Sequence, residues 1–296
     1  MELFAQTVVN GLLIGGVYVA IAVGFSLAFG VLHIIDFAVG EWVILGALVG
    51  WTLTEWLAVE PLLLLPLVAV GFSLLGWIIQ PLIRRVVTGD RPLPVLMGLV
   101  FTFGLAILAR AIASLVWGIN RRSIASGLGG QAFELYVAGI SLTIPVLRFV
   151  MFVFGMAVVA AVSTILRRTR YGAAVRAAAQ NPVMAGLLGV NVDRIGRIVY
   201  AAYAAITGAA GMFIGMLFAI SPEVGLQYTT FAFFTVVLAG MGYVPGVPVA
   251  GLALGLLQSL VATSRLGPRY VYLVVFLVLY LILLVSPRGI LRRGWA

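Results

Sequence analysis

Residues 4–32 read FAQTVVNGLLIGGVYVAIAVGFSLAFGVL. The run carries no charge and exceeds the roughly 20 residues that a helix needs to cross a hydrocarbon core. Its apolar residues are continuous, whereas the strands of an outer-membrane barrel are short and alternate. In lipid every backbone N–H and C=O must be satisfied within the protein, so such a run is expected to be a helix. Comparable runs follow at 42–57, 62–83, 93–118, 143–166, 196–220, 229–243, 247–263 and 270–286. The stretch 229–263 reads either as two short spans or as one broken span. The chain has 296 residues, 63% hydrophobic and 9% charged, far below the roughly 25% charged of soluble domains. The expectation is an all-α integral membrane protein with about eight or nine transmembrane helices, organised as a single transmembrane domain over 1–296. This excludes a soluble enzyme. Met1-Glu2-Leu3-Phe4 lacks the basic start of a signal peptide, so the first run is read as a retained helix.

The net charge of +9 comes from arginine alone, because the chain contains no Lys. In a soluble protein that charge would suggest nucleic acid; here the arginines sit between apolar runs and read as topology. Arg84 and Arg85 follow the third run, Arg167, Arg168, Arg170 and Arg176 the fifth, and Arg288, Arg292 and Arg293 the last. With nine spans these clusters share one side, expected to be cytoplasmic, which puts the N-terminus outside and the C-terminus inside. Arg194 and Arg197 add to the same side. Arg121, Arg122, Arg265 and Arg269 fall on the other side and count against the scheme.

The residues that are missing narrow the chemistry. A nucleotide-binding P-loop needs a Lys to reach the phosphates, and there is none. There is no Cys and one His, so no multi-ligand Cys/His zinc site can form. His33 has no Gly-x-Ser-Gly partner for serine-protease chemistry. No catalytic residue, metal or bound cofactor is expected.

Three segments stand out. The first is the loop 167–195, read as cytoplasmic. Asn181-Pro182 is a helix start: Asn caps free N–H groups, and Pro at the first position has no N–H to leave unbonded. Gly189 is a stop in the left-handed region. A helix over 182–188 is predicted, with Val183, Met184, Leu187 and Leu188 on one apolar face. It could lie among lipid headgroups or fit a groove on a cytoplasmic partner. The second segment is Asp36-Phe37-Ala38-Val39-Gly40-Glu41, with His33 before it. It reads as a tight turn between spans or as a broken helix lining a pathway. The third is Leu238-Ala239-Gly240-Met241-Gly242-Tyr243-Val244-Pro245-Gly246-Val247-Pro248, continuing to Gly251 and Gly255. Its Gly and Pro content breaks a membrane helix or permits close helix packing. A break in each half would fit a weak internal repeat.

At these segments the chain resembles the permease subunits of branched-chain amino acid ATP-binding-cassette importers, the LivH type, within a larger family that includes sugar permeases. The resemblance covers nearly the whole chain. Its most specific part is 168–193, with Arg168-Thr169-Arg170-Tyr171-Gly172, Arg176-Ala177, Asn181-Pro182 and Ala185-Gly186-Leu187-Leu188-Gly189-Val190-Asn191-Val192-Asp193. It continues through Ser221-Pro222-Glu223-Val224-Gly225, the Gly-rich 238–251, and Ser286-Pro287-Arg288-Gly289-Ile290. Phe37-Ala38, Gly40 and Glu41 are similar to the family's Asn-Phe-Ala-His-Gly-Glu. Asp36 stands for the usual Asn there and Val39 for the His; Tyr243 stands for a small Ser and Gln258 for a Glu. These departures bear on the substrate more than on the family, whose members also carry urea, short amides and small carboxylates.

The resemblance implies an importer permease fold with broken helices and a cytoplasmic coupling helix in the loop of about 167–195. It implies a second permease, identical or homologous, two cytoplasmic ATPase subunits that use ATP, an extracytoplasmic binding protein, and a bacterial plasma membrane. Asp36, Phe37, Ala38, Gly40, Glu41, Gly240 and Gly242 are then expected near the substrate pathway. Arg168, Arg170, Gly172, Arg176, Asn181, Pro182, Met184, Leu187 and Gly189 are expected at the ATPase coupling site. The competing class is an ion-coupled secondary transporter using Asp36 or Glu41; a membrane enzyme is disfavoured by the missing motifs.

Overall fold

The computed structural model describes residues 2–87, 94–137, 140–265 and 267–285. Arg288, Arg292, Arg293 and the stretch 286–290 lie outside the described residues. The helices are α1 (Glu2–Leu32), α2 (Val39–Leu57), α3 (Pro61–Val87), α4 (Pro94–Trp117), α5 (Val146–Arg168), α6 (Arg170–Gln180), α7 (Pro182–Leu187), α8 (Val192–Leu217), α9 (Gly225–Ala239), α10 (Val247–Thr263) and α11 (Val271–Val285). A hairpin of β1 (Ala132–Val137) and β2 (Ile140–Pro145) precedes α5. Six helices among the described residues are long and apolar enough to cross a membrane.

Burial sorts these helices into a centre and a rim. In its most apolar stretch α1 is 83% buried, against 22% for α3. Val19 to Val23 of α1 are fully enclosed, while Leu74, Leu115 and Leu277 project outward from α3, α4 and α11. An apolar surface of this kind needs lipid around it. Small residues let α1 meet α10 closely. A Cβ on Gly15 would lie 2.7 Å from the Leu252 Cα, and one on Gly255 would lie 2.5 Å from the Gly15 Cα. Backbones this close gain dispersion contact that larger residues would prevent.

The bundle has two distinct ends. One carries the start of α1, where Gln6 Nε2 donates to Thr143 O at 2.8 Å and accepts through Oε1 from Thr143 N at 3.0 Å, so the hairpin sits on that end. Arg122 lies there too, pairing with Ile220 through backbone bonds of 2.9 and 2.7 Å. The opposite end carries His33, Arg84, Gln180, Pro182 and Val192 around one cavity, and an Arg84–Asp193 ion pair ties the end of α3 to the start of α8.

Two expectations change, and one open alternative is decided. The hairpin is a β element in a chain read as all-α, and the fifth span begins at Val146, not 143. Phe133, Leu135 and Val137 alternate with polar neighbours and pair with Ile144, Leu142 and Ile140, a period-2 pattern that favours strands. The loop read between 167 and 182 holds a further helix, α6. The stretch 229–263 is two antiparallel helices, α9 and α10, joined by a turn.

Candidate functional site

The break between α1 and α2 is held by polar groups from four helices. α1 ends at His33, which is exposed and has φ +53°, and the chain turns back into the protein. Asp36 is 2% exposed. Its Oδ1 accepts from Ala38 N at 2.8 Å, and its Oδ2 accepts from Tyr200 Oη at 2.8 Å and Trp42 Nε1 at 3.4 Å. Tyr203 packs edge-on against Tyr200, with ring centroids 5.2 Å apart. Phe37 N donates to Thr102 Oγ1 at 3.3 Å, and that hydroxyl lies 3.0 Å from Ile35 O. Gly40 N donates to Thr229 Oγ1 at 3.0 Å. Backbone groups without a helical partner are costly away from water, and Asp36, Thr102 and Thr229 each meet one. Tyr200 lies eight residues into α8, so at 1.5 Å per residue the break sits about 12 Å along that helix from its end.

Gly40 and Glu41 bring this break against the start of α9. A Cβ on Gly40 would lie 2.6 Å from Thr229 N, so α2 and α9 cross backbone to backbone there. The Glu41 carboxylate takes Arg110 Nε at 3.1 Å and also pairs with its Nη2. The same carboxylate borders Gly225, the first residue of α9, where the helix dipole favours a negative charge.

The second break follows α9. Gly240 has φ +91° and Gly242 φ +83°, a region that costs a side chain. Gly242 meets Gly30 of α1: a Cβ on either would come within 3.1 Å of the other's Cα. The two breaks therefore mark the two ends of α9.

Beside α9 lies an open cavity of about 310 Å³ between α1, α9 and α10. Arg121 and Phe218 stand on it toward the hairpin end, and Gln227 and Tyr228 form a wall. Ile14, Tyr18, Phe231 and Gln258 also line it. Tyr18 Oη donates to Gln258 Oε1, and its ring stacks on Phe231 at 4.6 Å and 19°.

At the opposite end α6 and α7 follow α5 through successive side-chain caps. Thr169 Oγ1 accepts from Gly172 N at 2.9 Å, Asn181 Oδ1 from Met184 N at 3.0 Å, and Asn191 Oδ1 from Arg194 N at 2.9 Å. Gly172, Val175, Ala178 and Ala179 bury one face of α6. α7 is a helix with Pro182 at its start, and Gly189 follows at φ +85°. It buries only Ala185; Val183, Met184, Leu187 and Leu188 are 70%, 57%, 77% and 83% exposed. Three apolar side chains on this short helix, and Leu188 just after it, are thus left uncovered by the bundle.

Residues 7–283 match the family described as the branched-chain amino acid transport system permease component. The chain belongs to this permease family. It is similar to the high-affinity branched-chain amino acid transport system permease protein LivH of Escherichia coli, with 31% identity over 98% of this chain and 96% of the relative. It is 29% identical to the corresponding BraD of Pseudomonas aeruginosa, over 98% and 96% of the two chains. It is 23% identical to a probable LivH permease of Methanocaldococcus jannaschii, over 99% and 95%. No solved structure matches the chain significantly.

The permease's expected pathway residues divide into two groups. Asp36, Ala38, Gly40 and Glu41 are buried in helix contacts, with Phe37 partly covered, and Gly240 and Gly242 form the turn after α9. None of the seven lines the cavity beside α9. The expected coupling residues come together on α6 and α7: Arg170 is exposed, Arg176 partly buried, and Arg168 ends α5. Sequence reasoning missed Tyr18, Arg121, Gln227, Tyr228 and Phe231 as cavity residues; it noted Gln258 only as a departure. Tyr18 and Gln258 are polar positions inside otherwise apolar spans, and that was the available signal.

Proposed function

We propose that this permease is the transmembrane subunit of an ATP-binding-cassette importer for branched-chain or related small amino acids. It works with a second permease, identical or homologous, two cytoplasmic ATPase subunits, and an extracytoplasmic binding protein, in the bacterial plasma membrane. The identity to LivH over nearly the whole of both chains supports this most directly. The six spans, together with α2, α9 and α11, make nine crossings. The end carrying Arg84, Arg168, Arg170 and Arg194 faces the cytoplasm, as arginine placement favours; the hairpin end faces outside.

In this reading α7 is the coupling helix. Its Val183, Met184 and Leu187 have no cover among the described residues, and burying them in an ATPase groove would gain roughly 1.5–3 kcal/mol for each fully covered side chain. α6 joins α7 to α5 and rests by one face on the bundle, so movement of the ATPase would reach the spans on either side. The break at Asp36–Glu41 and the turn at Gly240–Gly242 hold the two ends of α9, which walls the cavity. Asp36 and Glu41 thus act on the path through α9's position.

The test is co-purification. Expressed with ATPase and binding proteins of this importer class, the permease should form a complex whose ATP hydrolysis rises with liganded binding protein. The isolated chain should hydrolyse none. Hydrolysis by the isolated chain would overturn the assignment.

A further inference from the structure

The cavity between α1, α9 and α10 has a chemistry that the family assignment does not supply. Its lining holds one charged residue, Arg121, which is exposed and makes no ion pair among the described residues. A guanidinium there is suited to a carboxylate, which it can meet with two parallel bonds. The other polar groups of the lining are neutral: the amides of Gln227 and Gln258 and the hydroxyls of Tyr18 and Tyr228. Amide and hydroxyl oxygens can accept from an ammonium group, and aromatic faces attract it. Ile14, Val17 and Phe231 supply apolar wall. The side chains therefore complement a small zwitterion with an aliphatic side chain, without a full counter-charge that would trap it. Transit requires binding weak enough for release.

Three of the lining side chains are linked in one layer that joins α1, α9 and α10. Tyr18 of α1 is bonded to Gln258 of α10 and stacked on Phe231 of α9, and Phe231 meets Tyr272 of α11 at 5.4 Å. α1 and α10 are locked together by the Gly15 and Gly255 contacts, so they form a fixed wall. α9 carries Phe231 and lies between two glycine-containing ends, Gly225 and Gly240.

We infer that this cavity is the outward substrate chamber, that it takes a zwitterionic aliphatic amino acid with its carboxylate toward Arg121, and that Tyr18, Gln258 and Phe231 form its selective floor. The floor opens when α9 tilts away from the α1–α10 wall and parts the Tyr18–Phe231 stack. The inference rests on the importer reading and adds to it the residues that meet the substrate.

The chain has no Cys, which permits a direct test in the complete complex in proteoliposomes. In a Gln227→Cys complex, a membrane-impermeant maleimide on the binding-protein side should modify the cysteine and abolish ATP-driven leucine uptake relative to the same complex unmodified. A Leu74→Cys complex, whose cysteine faces away from the bundle, should keep its uptake after the same treatment. A Phe231→Ala complex should let preloaded leucine escape without ATP, and Arg121→Gln should raise the leucine concentration needed for half-maximal escape. A Gln227→Cys site that is unreactive, or that reacts without loss of uptake, overturns the chamber. A wild-type complex that accumulates no leucine overturns the importer reading before any variant is compared.

Discussion

Glu41 and Arg110 form an ion pair in which the carboxylate is 2% exposed and the guanidinium side chain 37% exposed. The asymmetry makes the two single variants unequal. Arg110→Leu leaves a buried carboxylate without its cation, which costs about 3 kcal/mol. Glu41→Gln leaves a cation that can turn toward water, and should cost clearly less. Arg110→Leu with Glu41→Gln should recover most of the loss. Thermal unfolding of the three variants in detergent checks this order; equal losses would contradict it.

Thr229 links the two halves of the site, because its hydroxyl accepts from Gly40 N at the crossing of α2 and α9. Thr229→Val keeps the shape and strands a buried N–H, at a cost of about 1–3 kcal/mol. Thr229→Ser keeps the hydroxyl and should retain most of the stability. The midpoint of thermal unfolding should follow the order wild type, Ser, Val.

Met184 and Leu187 are exposed on α7, so shortening both to Ala should leave the permease's own stability nearly unchanged. If α7 docks in the ATPase groove, each loses roughly 2 kcal/mol of packing there. Co-purification of the ATPase subunits and their stimulated hydrolysis should then fall together. Wild-type levels of both would return α7 to the role of a headgroup-bound surface helix.

The Arg84–Asp193 pair joins α3 to α8 with side chains 40% and 48% exposed. Exposed pairs contribute about 0–1 kcal/mol, so Asp193→Asn should shift the unfolding midpoint little. A large loss would show that the contact does more than an exposed pair can.

The apolar runs made the spans legible because a bilayer allows one solution for an uncharged run of that length. α7 was legible from Asn181 and Pro182, since both act on local backbone groups. α6 was not: Arg170–Gln180 is rich in Ala and Arg, and its only apolar signal is one buried face. The hairpin carried a readable alternation at Phe133, Leu135 and Val137, but it lies between two apolar runs and follows the Gly-rich Gly127-Leu128-Gly129-Gly130. Arg122, which counted against the charge scheme, has structural partners: its guanidinium lies 4.0 Å from the Trp51 ring and donates to Trp117 O at 2.8 Å. The cavity was least legible, because Tyr18, Phe231 and Gln258 meet only through the close packing of α1, α9 and α10.

In the importer reading, ATP spent by other subunits drives solute through this chain. The most direct test is leucine accumulation in proteoliposomes holding the complete complex, with proton and sodium gradients collapsed and ATP supplied on the ATPase side. Accumulation should require both ATP and the binding protein. Accumulation by the chain alone, driven by an imposed ion gradient and lost in Asp36→Asn, would contradict it and establish an ion-coupled carrier.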